Sequence, residues 1–170
     1  MASVDVTGGS GAGGFVSGAY LSAYDTGYYS LSAPNNVEQL QFGSTTLSSG
    51  ISIQGANNTD IVFSTAGIFN IVFSVQVTNN AVQAHEFYLW LCFFGNPVQN
   101  TNSILTIPST HGGVKGHNIA AWDFMIQTNI GDAYQLCWSG DNINIAIETI
   151  ASPGGGIPVS PAVILSVSQV

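Results

Sequence analysis

Apolar and polar residues alternate with a period of two along most of this chain, the pattern of half-buried strands rather than of helices. The alternation is cleanest over residues 68–78. There Phe69, Ile71, Phe73, Val75 and Val77 share one face, and Asn70, Ser74, Gln76 and Thr78 share the other, with Ile68 and Val72 among them. Such a strand lays one side on a core and keeps the other mostly wet. Ala120, Trp122, Phe124 and Ile126 repeat the pattern within residues 117–128. So do Tyr134, Leu136 and Trp138, then Ile143, Ile145 and Ile147, and finally Val163, Leu165 and Val167 against Ser166 and Ser168. Shorter strand-like pieces fall at 19–24, 28–31, 37–42, 51–53, 60–64 and 103–107, divided by Gly-, Asn-, Asp- and Pro-containing turns. About ten strands, with no helical period between them, predict an all-β antiparallel sandwich, barrel or jelly roll.

One stretch departs from the alternation. Residues 85–95, HEFYLWLCFFG, hold eight consecutive apolar or aromatic residues. That run is too short to span a bilayer, and its aromatic content and Gly-Asn-Pro stop read as a strand. Phe87, Leu89, Leu91 and Phe93 face one way, and Tyr88, Trp90, Cys92 and Phe94 the other. Both faces want burial, so this second face is expected to meet another subunit, the alternative being a fully buried central strand. Tyr88, Trp90, Cys92 and Phe94 are the candidate interface residues.

Composition narrows the function. At 170 residues the chain is sized for one domain and buries roughly 70% of its unfolded surface, enough for a core without metals or disulfides. Charged residues make up 6%, against a typical ~25%, while 45% hydrophobic content is far from that of a disordered chain. One Lys and no Arg against nine acids give a net charge of −8. Phosphate contacts depend on basic side chains, so neither nucleic acid nor an anionic membrane is an expected partner.

The candidate chemistry is thin. Cys92 and Cys137 each lie in an apolar strand, where a free thiol behaves as a small hydrophobe. Two buried free thiols are the favoured reading, and a structural pair is the alternative. His111 and His117 flank GGVKG, with His85 and Asp123 elsewhere, a weak pattern for a zinc site. Asp141, Asn142 and Asn144 could supply some oxygen ligands to calcium, but without an EF-hand pattern. Asp132, Asp141 and Glu148 could act as paired carboxylates only by default, and no G-x-S-x-G elbow marks a nucleophile. No enzymatic activity, metal or cofactor is expected. Asn57-Asn58-Thr59 matches a glycosylation acceptor, which counts for little because MASVDVTGGSG at the N-terminus has no signal-peptide character.

Residues 1–16, MASVDVTGGSGAGGFV, form a Gly-rich arm ahead of a domain at 17–170. An arm of this kind in a large assembly lies against a partner. Its apolar residues Val4, Val6, Phe15 and Val16 are the expected contacts.

The C-terminal half carries a resemblance. HGGVKGH at 111–117, IAAWDF at 119–124, GDAYQLCWSGDN at 131–142, AIET at 146–149 and PVSPAVILSVSQV at 158–170 stand in this order. GISI at 50–53 and GIFNIVFSVQVTN at 67–79 also fit. Together they resemble a jelly-roll module of structural proteins of tailed phages, those of marine cyanobacteria in particular. The module is similar to the tumour-necrosis-factor and complement globular-head fold, and the resemblance extends over roughly residues 18–170. It implies a ten-strand jelly roll, usually a homotrimer, without catalytic residues, and a place on the virion. The chain lacks the long shaft or coiled coil of the fibre members. The expectation is therefore a decoration or cement protein on the capsid surface, bound to the major capsid protein or another virion protein. A tail-fibre or spike knob that reads a host-surface receptor through loops 108–116 and 152–158 is the alternative.

Overall fold

The computed structural model describes residues 18–170. The arm residues Val4, Val6, Phe15 and Val16 lie outside them. The described chain is all β, in fourteen strands: β1 (Tyr20–Asp25), β2 (Tyr28–Ser30), β3 (Glu38–Gln39), β4 (Ser44–Ser49), β5 (Ile51–Gln54), β6 (Asp60–Phe63), β7 (Gly67–Asn79), β8 (His85–Phe93), β9 (Asn96–Pro97), β10 (Ser103–Ile107), β11 (Gly116–Thr128), β12 (Ala133–Gly140), β13 (Ile145–Glu148) and β14 (Val163–Gln169). The surplus over the expected ten comes from short pieces such as β3 and β9.

Two seven-stranded antiparallel sheets face each other. In the first, β7 is central. β11 runs along its whole length on one side, and β14, then β1, then β4 follow on the other. The second has the order β10-β8-β12-β6-β5, with β9 beside the end of β8 and β3 beside β12. The inward row of β7 (Phe69, Ile71, Phe73, Val75, Val77) packs in one core with Phe87, Leu89 and Leu91 of β8, Leu136 and Trp138 of β12, and Val163, Leu165 and Val167 of β14. Trp138 stacks on Phe87 at 5.9 Å between ring centroids, and Phe63 meets Phe69 edge-on at 4.8 Å. Sheets this apolar on their inner faces have to pair off against each other, which is what makes the sandwich.

β13 and β14 share one side of β7. β13 pairs with Val77–Asn79 and β14 with residues 69–75, both antiparallel. They are two parts of one line, interrupted by residues 149–162. The other side of that line is occupied by β2 next to β13 and β1 next to β14. The interruption therefore cannot leave through an edge, and the inner side is filled by core. It leaves on the outer side, where residues 151–160 are all exposed.

Several expectations need correction. Cys92 and Cys137 are joined in a disulfide with their Cα atoms 6.1 Å apart; they are not free thiols. The antiparallel register sets Cys92 opposite Gln135 and Cys137 opposite Trp90, which brings the two sulfurs diagonally together on one face. Of residues 37–42 only Glu38 and Gln39 form a ladder. Ser44–Ser49, which has no apolar alternation, is a strand because its backbone pairs with β1. Ile143 is 53% exposed in the turn before β13, where Asn142 Oδ1 accepts the Asn144 N–H at 2.9 Å.

Candidate interaction surface

The titratable groups singled out by sequence are dispersed and engaged locally. Asp132 Oδ2 accepts the Asn129 N–H at 2.7 Å, closing its own turn. Asp141 Oδ1 accepts the Glu86 N–H at 3.0 Å and lies 3.1 Å from His85 Nδ1. Glu148 takes Lys115, the chain's one basic side chain besides histidine, at 2.7 and 2.8 Å, and Lys115 also stands over the Tyr28 ring. His111 sits in a turn bridged to Val114, and His117 points outward from β11 opposite Thr78. Among the described residues no group of three or more His, Cys, Asp or Glu side chains converges.

The most constrained polar cluster sits at the β1–β2 junction. Asp25 Oδ1 accepts from the Tyr29 hydroxyl and the Gly27 N–H, both at 2.5 Å, and Oδ2 accepts the Gly43 N–H at 2.8 Å. Burial first, then this hydrogen bond and the Asp25 charge, push the Tyr29 phenol well above its ordinary range. Tyr134 is also raised, by burial and then by the charge of Asp132. Tyr29 lines a depression of about 260 Å³ together with Tyr28, Glu38, Gln39, Gln41 and Trp138.

The second face of β8 divides. Tyr88 and Trp90 are half-buried, Cys92 is buried and spent in the disulfide, and Phe94 is 56% exposed on a left-handed turn. Part of the cover comes from the chain itself. Gln135, on the same face of β12 as Cys137, is held between the Gly95 N–H at 2.9 Å and an Asp60 carboxylate oxygen at 2.8 Å. The candidate interface residues therefore do not form one open patch.

The outer face of the first sheet does. Its rows run from β11 through β7 to β14 and β1: Ala121, Ser74, Ile164 and Tyr24; Asp123, Val72, Ser166 and Ser22; Met125, Asn70, Ser168 and Tyr20. Ile68, Val72, Ile119, Met125 and Ile164 are between 43 and 68% exposed. Asp123 is the one carboxylate on the outward rows of these four strands. Beside it a shallow depression of about 320 Å³ is lined by Asn70, Val72, Phe73, Ala121, Trp122 and Asp123. Asn70 Oδ1 is buried there with no hydrogen-bond partner among the described residues. Sequence reasoning missed this face, although Ile68 and Val72 in an otherwise polar row are its signal.

No protein-family model matches the chain, and no curated protein sequence is similar to it. Solved structures are. The crystal structure of murine APRIL at pH 8.5 superposes with a TM-score of 0.53 at 12% identity, covering 90% of this chain and 99% of that one. The same protein at pH 5.0 gives 0.51 at 12% identity with the same coverage. At this identity the likeness concerns the fold: a jelly-roll sandwich of the tumour-necrosis-factor type.

Proposed function

We propose that this chain is a non-catalytic structural subunit of a phage particle, a head decoration protein that self-associates as a homotrimer and binds the shell. The observation that carries the reading is the outer face of the first sheet. It is broad, partly apolar and nearly free of charge on a molecule whose net charge is −8. Several exposed apolar side chains gathered on one face suit an interaction surface. The absence of like charge there lets copies approach. The sequence resemblance of residues 18–170 supplies the virion setting. The Cys92–Cys137 disulfide suits it, because such bonds persist on virion and cell exteriors rather than in reducing cytosol.

The self-contact accordingly belongs on β7, β11 and β14, and the exposed Phe94 and half-buried Tyr88 and Trp90 of β8 are open to add to a contact. Immunogold labelling of intact particles with an antibody against this chain tests the placement. Label spread evenly over heads supports decoration. Label confined to tails favours the receptor-binding knob, and accessible particles without label overturn both.

A further inference from the structure

We propose that the outward groove between residues 37–42, the β5–β6 turn and the β8–β9 hairpin is a binding site for an uncharged saccharide unit. This goes beyond the structural reading above and does not depend on where on a particle the chain sits.

The groove holds about 260 Å³ and is lined by Gln39, Gln41, Asn57, Thr59, Gly95 and Cys137 among others. That is just under the usual size of a pocket for a drug-sized ligand and suits one small unit. Register sets Gln39 opposite Cys137, and the burial of Leu40 and Phe42 turns Gln41 to the same outward side. The walls are fixed. The Leu40 N–H reaches the Leu136 carbonyl at 2.8 Å, the Phe42 N–H reaches the Asn58 carbonyl at 3.0 Å, and Cys137 is locked in the disulfide.

The lining selects the class of ligand. Glu38 accepts from Asn36 Nδ2 at 2.8 Å and Thr59 Oγ1 donates to Asp60 Oδ1 at 3.4 Å, while no hydrogen bond among the described residues occupies the side-chain amides of Gln39, Gln41 and Asn57. An amide both donates and accepts, which is what a sugar hydroxyl requires of its partner. No basic side chain lines the groove, and Lys115 is held by Glu148, so an anion would find no counter-charge. Val37 is the one aliphatic side chain of the lining, too little for an apolar ligand. The depression lined by Tyr28 and Tyr29 shares Glu38, Gln39 and Gln41 with the groove and leaves room for a second, linked unit.

Phe94 is an independent sign. It precedes Gly95 at the end of the groove, in a two-residue hairpin between Phe93 and Asn96, with φ of 46° at Phe94 and 77° at Gly95. Turns with positive φ at both central residues strongly prefer Asn-Gly, and a bulky side chain at the first of them is strained. The Phe94 ring is 56% exposed, so little burial offsets that strain beyond an edge contact with Phe93 at 4.7 Å. Three hydrogen bonds hold the turn. The Phe94 N–H reaches the Ala133 carbonyl at 3.0 Å, the Gly95 N–H reaches Gln135 Oε1 at 2.9 Å, and Asn96 Nδ2 donates to the Phe94 carbonyl at 3.2 Å. Backbone strain that is held in place in this way gathers at ligand sites. An aromatic beside an amide-lined groove offers a face for the C–H side of a sugar ring.

Saturation-transfer difference NMR on the full chain tests the site, with galactose, glucose, mannose and N-acetylglucosamine as separate probes and galacturonate and choline as charged controls. Transfer to at least one neutral sugar, exceeding that to either control, is expected. The double variant Gln39→Ala, Gln41→Ala should weaken binding of that sugar at least about tenfold. Phe94→Asn should also weaken it, while leaving the thermal midpoint at or above that of wild type, because Asn suits the turn. No transfer to any neutral sugar, or stronger transfer to galacturonate or choline, overturns the proposal. Transfer that survives both variants undiminished overturns it too, by placing the sugar elsewhere on the molecule.

Discussion

Cys92 and Cys137 are bonded diagonally across β8 and β12, each facing a residue other than its partner: Gln135 in one case, Trp90 in the other. The bond ties two neighbouring central strands of the second sheet and closes a loop with a sequence separation of 45. Cross-linking that much chain removes conformations chiefly from the unfolded state.

The double variant Cys92→Ser, Cys137→Ser should therefore lose about 2–4 kcal/mol of stability and still fold, because the core it borders is large. Urea unfolding of oxidised wild type, reduced wild type and the variant checks this. The last two should coincide well below the first. Identical midpoints for all three would mean that the cross-link contributes nothing.

The Asp25–Tyr29 pair makes a pH prediction. The Tyr29 phenol is held protonated in the fold, by burial first and then by Asp25, while in the unfolded chain it titrates near its ordinary value of about 10. A raised folded-state pKa contributes stability that is full below the unfolded value and is lost as pH rises above it. Wild type should thus lose stability on the alkaline side of about pH 10. Tyr29→Phe should flatten that decline and cost about 1–2 kcal/mol at neutral pH, through the hydrogen bond removed from the carboxylate. Thermal melts across the alkaline range, with phenolate absorbance followed in parallel, decide it. An alkaline slope unchanged in the variant would place its origin elsewhere.

These arrangements differ in how far they can be read from a sequence. The two faces of β7 are legible, because alternation is a local property and the buried row is unbroken from Phe69 to Val77. The fold class follows from many such local patterns. The disulfide does not, since it depends on which residue of β12 opposes which residue of β8, and pairing register is long-range information. The same holds for Ser44–Ser49, an edge strand made by its neighbour's backbone and not by its own side chains. The interruption at residues 149–162 is hidden for a related reason. Gly-Gly-Gly between two prolines reads as an ordinary loop until the strands on either side of it prove to be collinear.

Gly116 gives a sharp steric test. It is buried at the start of β11, and a Cβ there would come within 1.8 Å of the Pro108 carbonyl oxygen and 2.6 Å of its carbon. Both obstacles are backbone, so no side-chain rotation relieves them. Nearby, Asn79 fixes the same region by donating to the carbonyls of Gln83 at 2.7 Å and Pro108 at 3.1 Å. Gly116→Ala should cost about 2 kcal/mol or more, with the loosening concentrated where β10 hands over to β11. Hydrogen exchange should show protection lost there before it is lost in β12. Wild-type stability in the variant would mean that the Pro108 backbone is free to yield.

The location of the self-contact separates two surfaces by their opposite responses. Val72 is an outward residue of β7, 45% exposed and lining the depression. Val72→Lys should leave unfolding within about 0.5 kcal/mol of wild type, as exposed substitutions do. It should nonetheless dissociate the oligomer, because a Lys ammonium would have to be desolvated within the contact. Trp90 behaves the other way. Its ring is half-buried against its own subunit and its Nε1 is buried without a partner among the described residues, so Trp90→Ala should cost about 3 kcal/mol of fold stability without changing the assembly state of the folded fraction. Sedimentation velocity and urea unfolding on both variants resolve the matter. If Trp90→Ala dissociates the oligomer while Val72→Lys leaves it intact, the interface lies on the second face of β8, and the outer face of the first sheet is left for the proposed contact with the shell.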